Sequence, residues 1–170
     1  QWTVIRVWGI WCHDSRRDAP WSADLHGRIE ADPTLEFVSI HTPVSASRAK
    51  DAFGKYDSVS AYFDDQGFQY PTVIDTDASI REALQIAWTP TYLLMSPDGI
   101  VRGFRTDLSV AGDSAVEDFL ADINAVRAST PTDWQRPPAI EANRPLLFTV
   151  TDAERAFPDA IIPPTPPAIP

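Results

Sequence analysis

Cys12 is the one residue here whose type and setting could do covalent chemistry. It stands in Trp11-Cys12-His13-Asp14-Ser15, after the apolar run from Trp2 to Trp11 and before a polar, helix-compatible stretch. A thiol brought to the first turn of a helix meets unpaired backbone N–H groups and the positive end of the helix dipole, which favour the thiolate. The thiolate is the attacking species in disulfide exchange. No second cysteine exists, so any disulfide must join Cys12 to another molecule. The competing reading is an inert thiol filling a small core site. His13 either tunes Cys12 through charge or a hydrogen bond, or is a solvated loop residue. Asp14 opposes the thiolate if it lies close. Cys12 with His13, Asp14 or His41 is a weak match to soft-metal spacing, and no cofactor is called for. His26 reads as a surface residue. Trp8, Trp11, Trp21 and Trp88 are candidates for an aromatic surface around the cysteine, with Trp8 assigned to the core and Trp11 and Trp88 to the surface.

The elements that would position Cys12 follow from hydrophobic periodicity. Trp2 to Trp11 reads as a buried central strand, apolar on both faces, in which Arg6 is anomalous. The helix after Cys12 extends to about Ala31 and should kink at Pro20. Leu35 to Ile40 is a second buried strand. Residues 44 to 66 read as one or two helices with Ala46, Ala49, Phe53, Val59, Tyr62 and Phe63 as the apolar stripe. Thr72 to Ile74 is a short strand, and Asp77 to Ala87 a helix with Ile80, Ala83, Leu84 and Ala87 on one face. Thr91 to Ser96 and Ile100 to Arg105 are strands joined by the turn Pro97-Asp98-Gly99. A last helix runs from Ser114 to Ala128, with a capping box of Ser114 and Glu117 and a buried stripe of Val116, Phe119, Leu120 and Ile123. The order β-α-β-α-β-α-β-β-α predicts an α/β fold with a mixed sheet and helices on both faces.

The 170 residues carry a net charge of −10 without long runs of one sign, which disfavours nucleic acid and anionic membrane surfaces as partners. No apolar stretch approaches the ~20 residues that span a bilayer, and no signal-peptide pattern is visible. Ten of the 16 prolines fall from Pro131 onward. The chain therefore divides into a domain of residues 1–130 and a Pro-rich extension of residues 131–170. Within the extension, Leu146 to Thr151 could form a short edge strand, and Leu146, Leu147, Phe148 and Phe157 are apolar enough to predict docking.

The chain resembles the thioredoxin superfamily, and within it the TlpA/ResA-type branch. Trp11, Cys12 and Pro20 match that branch's Trp-Cys-x-x-Cys motif and its later proline. Trp88-Thr89-Pro90-Thr91-Tyr92-Leu93-Leu94 is similar to its cis-proline loop and following strand. Tyr70 to Asp75 and Ser96 to Gly99 resemble the segments that frame its next helix and hairpin, and His41-Thr42-Pro43 resembles thioredoxin-like domains of membrane reductases. The resemblance covers residues 2 to 128. It implies a thioredoxin-like three-layer fold and a cis Thr89–Pro90 bond near Cys12. It also implies catalytic positions at Cys12, Ser15 and Pro90, a substrate groove at Trp11, His13, Trp88 and Thr89, and a periplasmic or extracytoplasmic location. Two departures stand out. Ser15 replaces the second cysteine, and Arg6 occupies the place of a buried aspartate, where it should favour an anion such as the Cys12 thiolate.

Three functions compete. The leading one is thiol–disulfide exchange through Cys12 alone, with protein or small-molecule thiols and disulfides as partners and an external thiol to resolve the adduct. The second is a redox-inactive thioredoxin-fold binding or scaffold module. The third is a dithiol disulfide reductase with Ser15 an engineered replacement of cysteine.

Overall fold

The computed structural model describes residues 1–130; the extension from Pro131, with its expected strand at Leu146 to Thr151, lies outside the described residues. Strand β1 (Trp2–Trp8) occupies the middle of a five-stranded sheet. It pairs in parallel with β2 (Leu35–His41), which pairs in parallel with β3 (Thr72–Ile74). On its other side β1 runs antiparallel to β4 (Thr91–Met95), and β4 to β5 (Val101–Thr106). The order β3-β2-β1-β4-β5 is the mixed sheet that the sequence predicts. Gly99, at φ 80°, takes the left-handed position that the β4–β5 hairpin requires.

Alternation along β1 sets the two faces of the sheet. Val4, Arg6 and Trp8 point to one side. There α2 (Ala19–Glu30) and α5 (Ala115–Ser129) bury Leu25, Ile29, Phe119 and Ile123 against Val4 and Leu94. At the Trp8 end, α3 (Val59–Gln66) adds Val59, Tyr62 and Phe63. Ile5 and Val7 point the other way, toward Ile40, Leu93 and Ile86, with Ile80 of α4 (Ser79–Ala83) packed over them.

Several boundaries differ from expectation. β1 stops at Trp8, and Gly9 to Trp11 form a turn rather than strand. The expected long helix is two, α1 (His13–Arg17) and α2, with the break at Asp18. Pro20 lies in the first turn of α2, where its missing N–H costs little, so the chain restarts there instead of kinking. Residues 46–51 form a 3-10 turn that buries Ala52, and Ala46 is exposed. The helix expected over residues 77–87 lasts five residues. Gln85 takes a positive φ of 52°, which ends it and turns Ile86 inward in place of Ala83 and Ala87. The Ser114–Glu117 capping box does not form; the Ser114 hydroxyl donates to the Asp118 carboxylate at 2.9 Å.

Candidate functional site

Cys12 leaves the centre of the sheet through the turn Gly9-Ile10-Trp11. Its amide donates to the Gly9 carbonyl at 3.0 Å, and its own carbonyl accepts the Arg16 amide, which starts α1. Gly9 is required. A Cβ there would stand 2.2 Å from the Trp11 indole nitrogen. That indole folds back over the turn to donate to the Thr42 carbonyl at 2.7 Å. His41 fixes the same turn from below: its Nε2 accepts the Ile10 amide at 3.2 Å. The ring is fully buried, stacks on Phe53 and meets the edge of Trp8, and its Nδ1 has no partner among the described residues. Burial holds His41 neutral and lowers its pKa to about 4.

The half-exposed Cys12 occupies the N-cap of α1, but its sulfur accepts no capping hydrogen bond from that helix. The thiol instead donates to the Thr89 carbonyl at 3.2 Å. The Thr89–Pro90 peptide bond is cis, and both residues are buried. Trp88, just before them, is 57 % exposed. Trp11 is half-buried, Trp21 donates to the Gly112 carbonyl away from this turn, and Trp8 is core. His13 turns to solvent with Nδ1 3.5 Å from Asp14, whose carboxylate also meets Arg17 at 3.1 Å. His26 departs from the surface role expected of it. It packs between Phe37 and Tyr70, with ring centres 5.4 Å from each.

Beneath the cysteine lies a buried polar network that sequence reasoning missed apart from Arg6 and Ser15. Ser15 is fully buried, and its hydroxyl accepts the Gly9 amide at 3.3 Å. Arg6 donates to the Ser15 carbonyl at 3.2 Å, to the Tyr70 hydroxyl at 2.8 Å and to the Tyr92 hydroxyl at 3.2 Å. The anion facing Arg6 is Asp18 at 4.0 Å, rather than the Cys12 thiolate. Tyr92 donates to Asp18 and meets Ser22, and the Asp18 carboxylate also accepts the Ser109 amide at 2.9 Å. Burial pushes the Asp18 carboxyl above the ordinary carboxylate range, against the pull of Arg6. The register pairs Arg6 with Tyr92 across β1 and β4, which puts both side chains on one face. Tyr92 was therefore findable from the strand pattern, whereas Asp18 was hidden in the helix break.

Two pockets flank this architecture. The larger, about 620 Å³, lies between α2, α3 and β3 and is lined by His26, Phe63, Tyr70 and Ile74, without the cysteine. A smaller one of about 270 Å³ is lined by Val44, Arg81, Glu82, Ile86 and Ala87. It adjoins the Trp88-Thr89-Pro90 loop in sequence, and Arg81 lies over the Trp11 ring at 5.8 Å. Among the described residues no cluster of three or more histidine, cysteine or acidic side chains is shaped to hold a metal ion. None of the described helices is long and apolar enough to cross a membrane.

A central strand that delivers a cysteine to a helix start, opposite a loop with a cis-proline, on a mixed five-stranded sheet, defines the thioredoxin-like fold. The chain has a thioredoxin-like fold and resembles TlpA/ResA-type thiol-disulfide proteins. It is similar to thiol-disulfide oxidoreductase ResA of Bacillus subtilis (strain 168), at 25 % identity over 107 residues. That match covers 61 % of this chain and 54 % of the relative, so the chain spans about half the length of the curated relative it matches. Among solved structures, a thiol-disulfide isomerase from Corynebacterium glutamicum aligns with a TM-score of 0.54 at 17 % identity, covering 76 % of this chain and 82 % of that one. StoA from Bacillus subtilis aligns at 0.50 and 15 % identity, covering 62 % and 73 %. No protein-family model matches the chain.

Proposed function

We propose that this protein carries out thiol–disulfide exchange through Cys12 alone. The observation that carries the reading is a half-exposed cysteine set against the Thr89–Pro90 loop, with a buried serine at position 15. The Cys12 thiol loses its proton to solvent, and the thiolate attacks one sulfur of a substrate disulfide. A Cys12–substrate bond forms, the substrate S–S bond breaks, and its other half leaves as a thiolate. Ser15 offers a hydroxyl, which cannot displace that bond, so a second external thiol must attack the adduct and restore Cys12. Trp11, His13, Trp88 and Thr89 would frame the substrate, whose extended backbone would pair beside Pro90. An extracytoplasmic location belongs to the same proposal.

One observation favours the competing, redox-inactive binding module: the Cys12 thiol is already engaged within the fold, donating to the Thr89 carbonyl at 3.2 Å. Mass spectrometry after exposure to oxidised glutathione separates the two readings. The expected result is a stable adduct on the wild type that disappears only when an external thiol is added. Ser15→Cys should shed that adduct rapidly by forming an internal disulfide. A folded wild type that stays unmodified would overturn exchange and leave the binding module. Persistence of the adduct on Ser15→Cys would show that residue 15 does not act at Cys12.

A further inference from the structure

Among the described residues, seven of nine arginines lie within 4.0 Å of a carboxylate. Of the two without such a partner, Arg16 holds the turn that presents Cys12, and Arg81 lies against the Trp11 ring of that turn. Arg16 reaches back from α1 and donates to the Ile10 carbonyl at 2.6 Å. Arg81 reaches from α4 and donates to the carbonyls of Ile86 at 3.0 Å, Pro43 at 3.3 Å and Val44 at 2.5 Å. Its guanidinium carbon lies 5.8 Å from the centre of the Trp11 ring, the residue before Cys12. Carbonyl oxygens fix a guanidinium in place but leave its full charge uncancelled. Among the described residues, two positioned cations without a carboxylate partner therefore stand at one short turn of a chain of net charge −10.

We infer that Arg16 and Arg81 make the approach to Cys12 selective for anions, so that the thiols and disulfides exchanged there are carboxylate-bearing small molecules or acidic peptides. The inference rests on the exchange reading above and names its substrate class. The pocket beside Arg81 offers the space for such a group. The acids nearby reduce this field only in part. Asp75 is buried, and its carboxylate is occupied by the amides of Ile80 and Arg81 and the hydroxyl of Thr42. Asp14 shares Arg17 with Asp107, so part of its charge stays beside Arg16 and weakens the field there. Glu82 lines the same pocket and weakens the positive field, so its neutralisation should strengthen the selectivity.

The test measures second-order rates of Cys12 adduct formation, in the full chain, with three disulfides. These are dithiodiglycolate with two carboxylates, neutral bis(2-hydroxyethyl) disulfide, and cystamine with two ammonium groups. Each rate is divided by that of the urea-unfolded chain, which removes the intrinsic reactivity of the reagents. At about 20 mM salt the anionic disulfide should exceed the cationic one by about tenfold, and about 0.5 M salt should bring the ratio toward one. Arg16→Gln and Arg81→Gln should each lower the ratio about threefold, Arg81→Lys should retain most of it, and Glu82→Gln should raise it. A purely structural role for the arginines would move all three rates together, and an unchanged ratio would overturn the inference, as would a preference for cystamine. If no disulfide reacts, the exchange reading falls. Binding of S-methylglutathione, which has no thiol to exchange, then decides the charge selectivity. Shifts of the Arg16 and Arg81 Nε–H signals in NMR spectra would support it, and unmoved signals would overturn it.

Discussion

Lowering the pH from about 7 to about 4 should loosen the turn that carries Cys12, and His41 is the group that responds. Its imidazole is neutral in the fold, with a pKa of about 4 against 6.5 for an unhindered histidine. A depressed value means that the unfolded chain takes up the proton first. The stabilisation from the neutral ring is complete above pH 6.5 and is lost as the pH falls through 4. Linkage over this interval gives a loss of about 2 kcal/mol by pH 5 and about 3 kcal/mol by pH 4. Protonation also removes the Nε2 lone pair that accepts the Ile10 amide, so the strain falls on the site turn. Asp18 acts in the opposite sense. Its raised pKa gives stability that is fully present below 3.8 and is lost as the pH rises through its value in the fold. A single pH profile would mix the two, so the measurement is the difference between the wild type and His41→Gln. Glutamine keeps an acceptor for Ile10 and does not titrate, but it loses the ring contacts with Phe53 and Trp8, at about 1–2 kcal/mol. Urea unfolding, followed by tryptophan fluorescence, should find the wild type more stable at neutral pH and the variant more stable near pH 4. A stability gap that stays constant across that range, or a His41 ring proton signal that titrates above pH 6, would refute the reasoning.

Two further outcomes follow from the packing around the site. Arg6→Met should cost about 3–5 kcal/mol, because it leaves Asp18 buried without its cation, and Arg6→Met with Asp18→Leu should recover most of that loss; urea midpoints of the single and double variants check this. Gly9→Ala should cost about 1–3 kcal/mol and free the Trp11 indole N–H from Thr42, seen as faster hydrogen exchange of that proton, since the new methyl would occupy the space of the ring.

The fold was legible because hydrophobic runs dominate it. The alternation of β1, the run in β4 and the Pro97-Asp98-Gly99 turn each carry a local signal that tertiary structure had no reason to overturn. Errors cluster where a backbone torsion decides. The break at Asp18 and the left-handed Gln85 leave no mark in hydrophobic periodicity, so the sequence predicts two helices longer than those that form. At the site, Cys12 was marked by its place between a strand and a helix start, and the Thr89–Pro90 loop by the resemblance to the thioredoxin superfamily. The partners of Arg6 were not, since Asp18, Ser22, Tyr70 and Tyr92 converge from four separate segments. The partner of the Cys12 thiol was hidden for the same reason. The sulfur faces the Thr89 carbonyl, 77 residues away in the chain, and accepts no hydrogen bond from α1.

The central strand precedes both of its partners in the chain. During synthesis β1 leaves the ribosome about 30 residues ahead of β2 and about 90 ahead of β4, a lag of several seconds at ordinary elongation rates. Throughout that interval Trp-Thr-Val-Ile-Arg-Val-Trp has neither neighbour to pair with, and such a segment is prone to stack on copies of itself. The charge near its middle then has a second use. Before Asp18 and Tyr92 enclose it, Arg6 interrupts the apolar run and opposes intermolecular β-pairing on the nascent chain. Replacing it with a well-packed apolar side chain would trade that protection for core stability, and the trade would show as aggregation during expression.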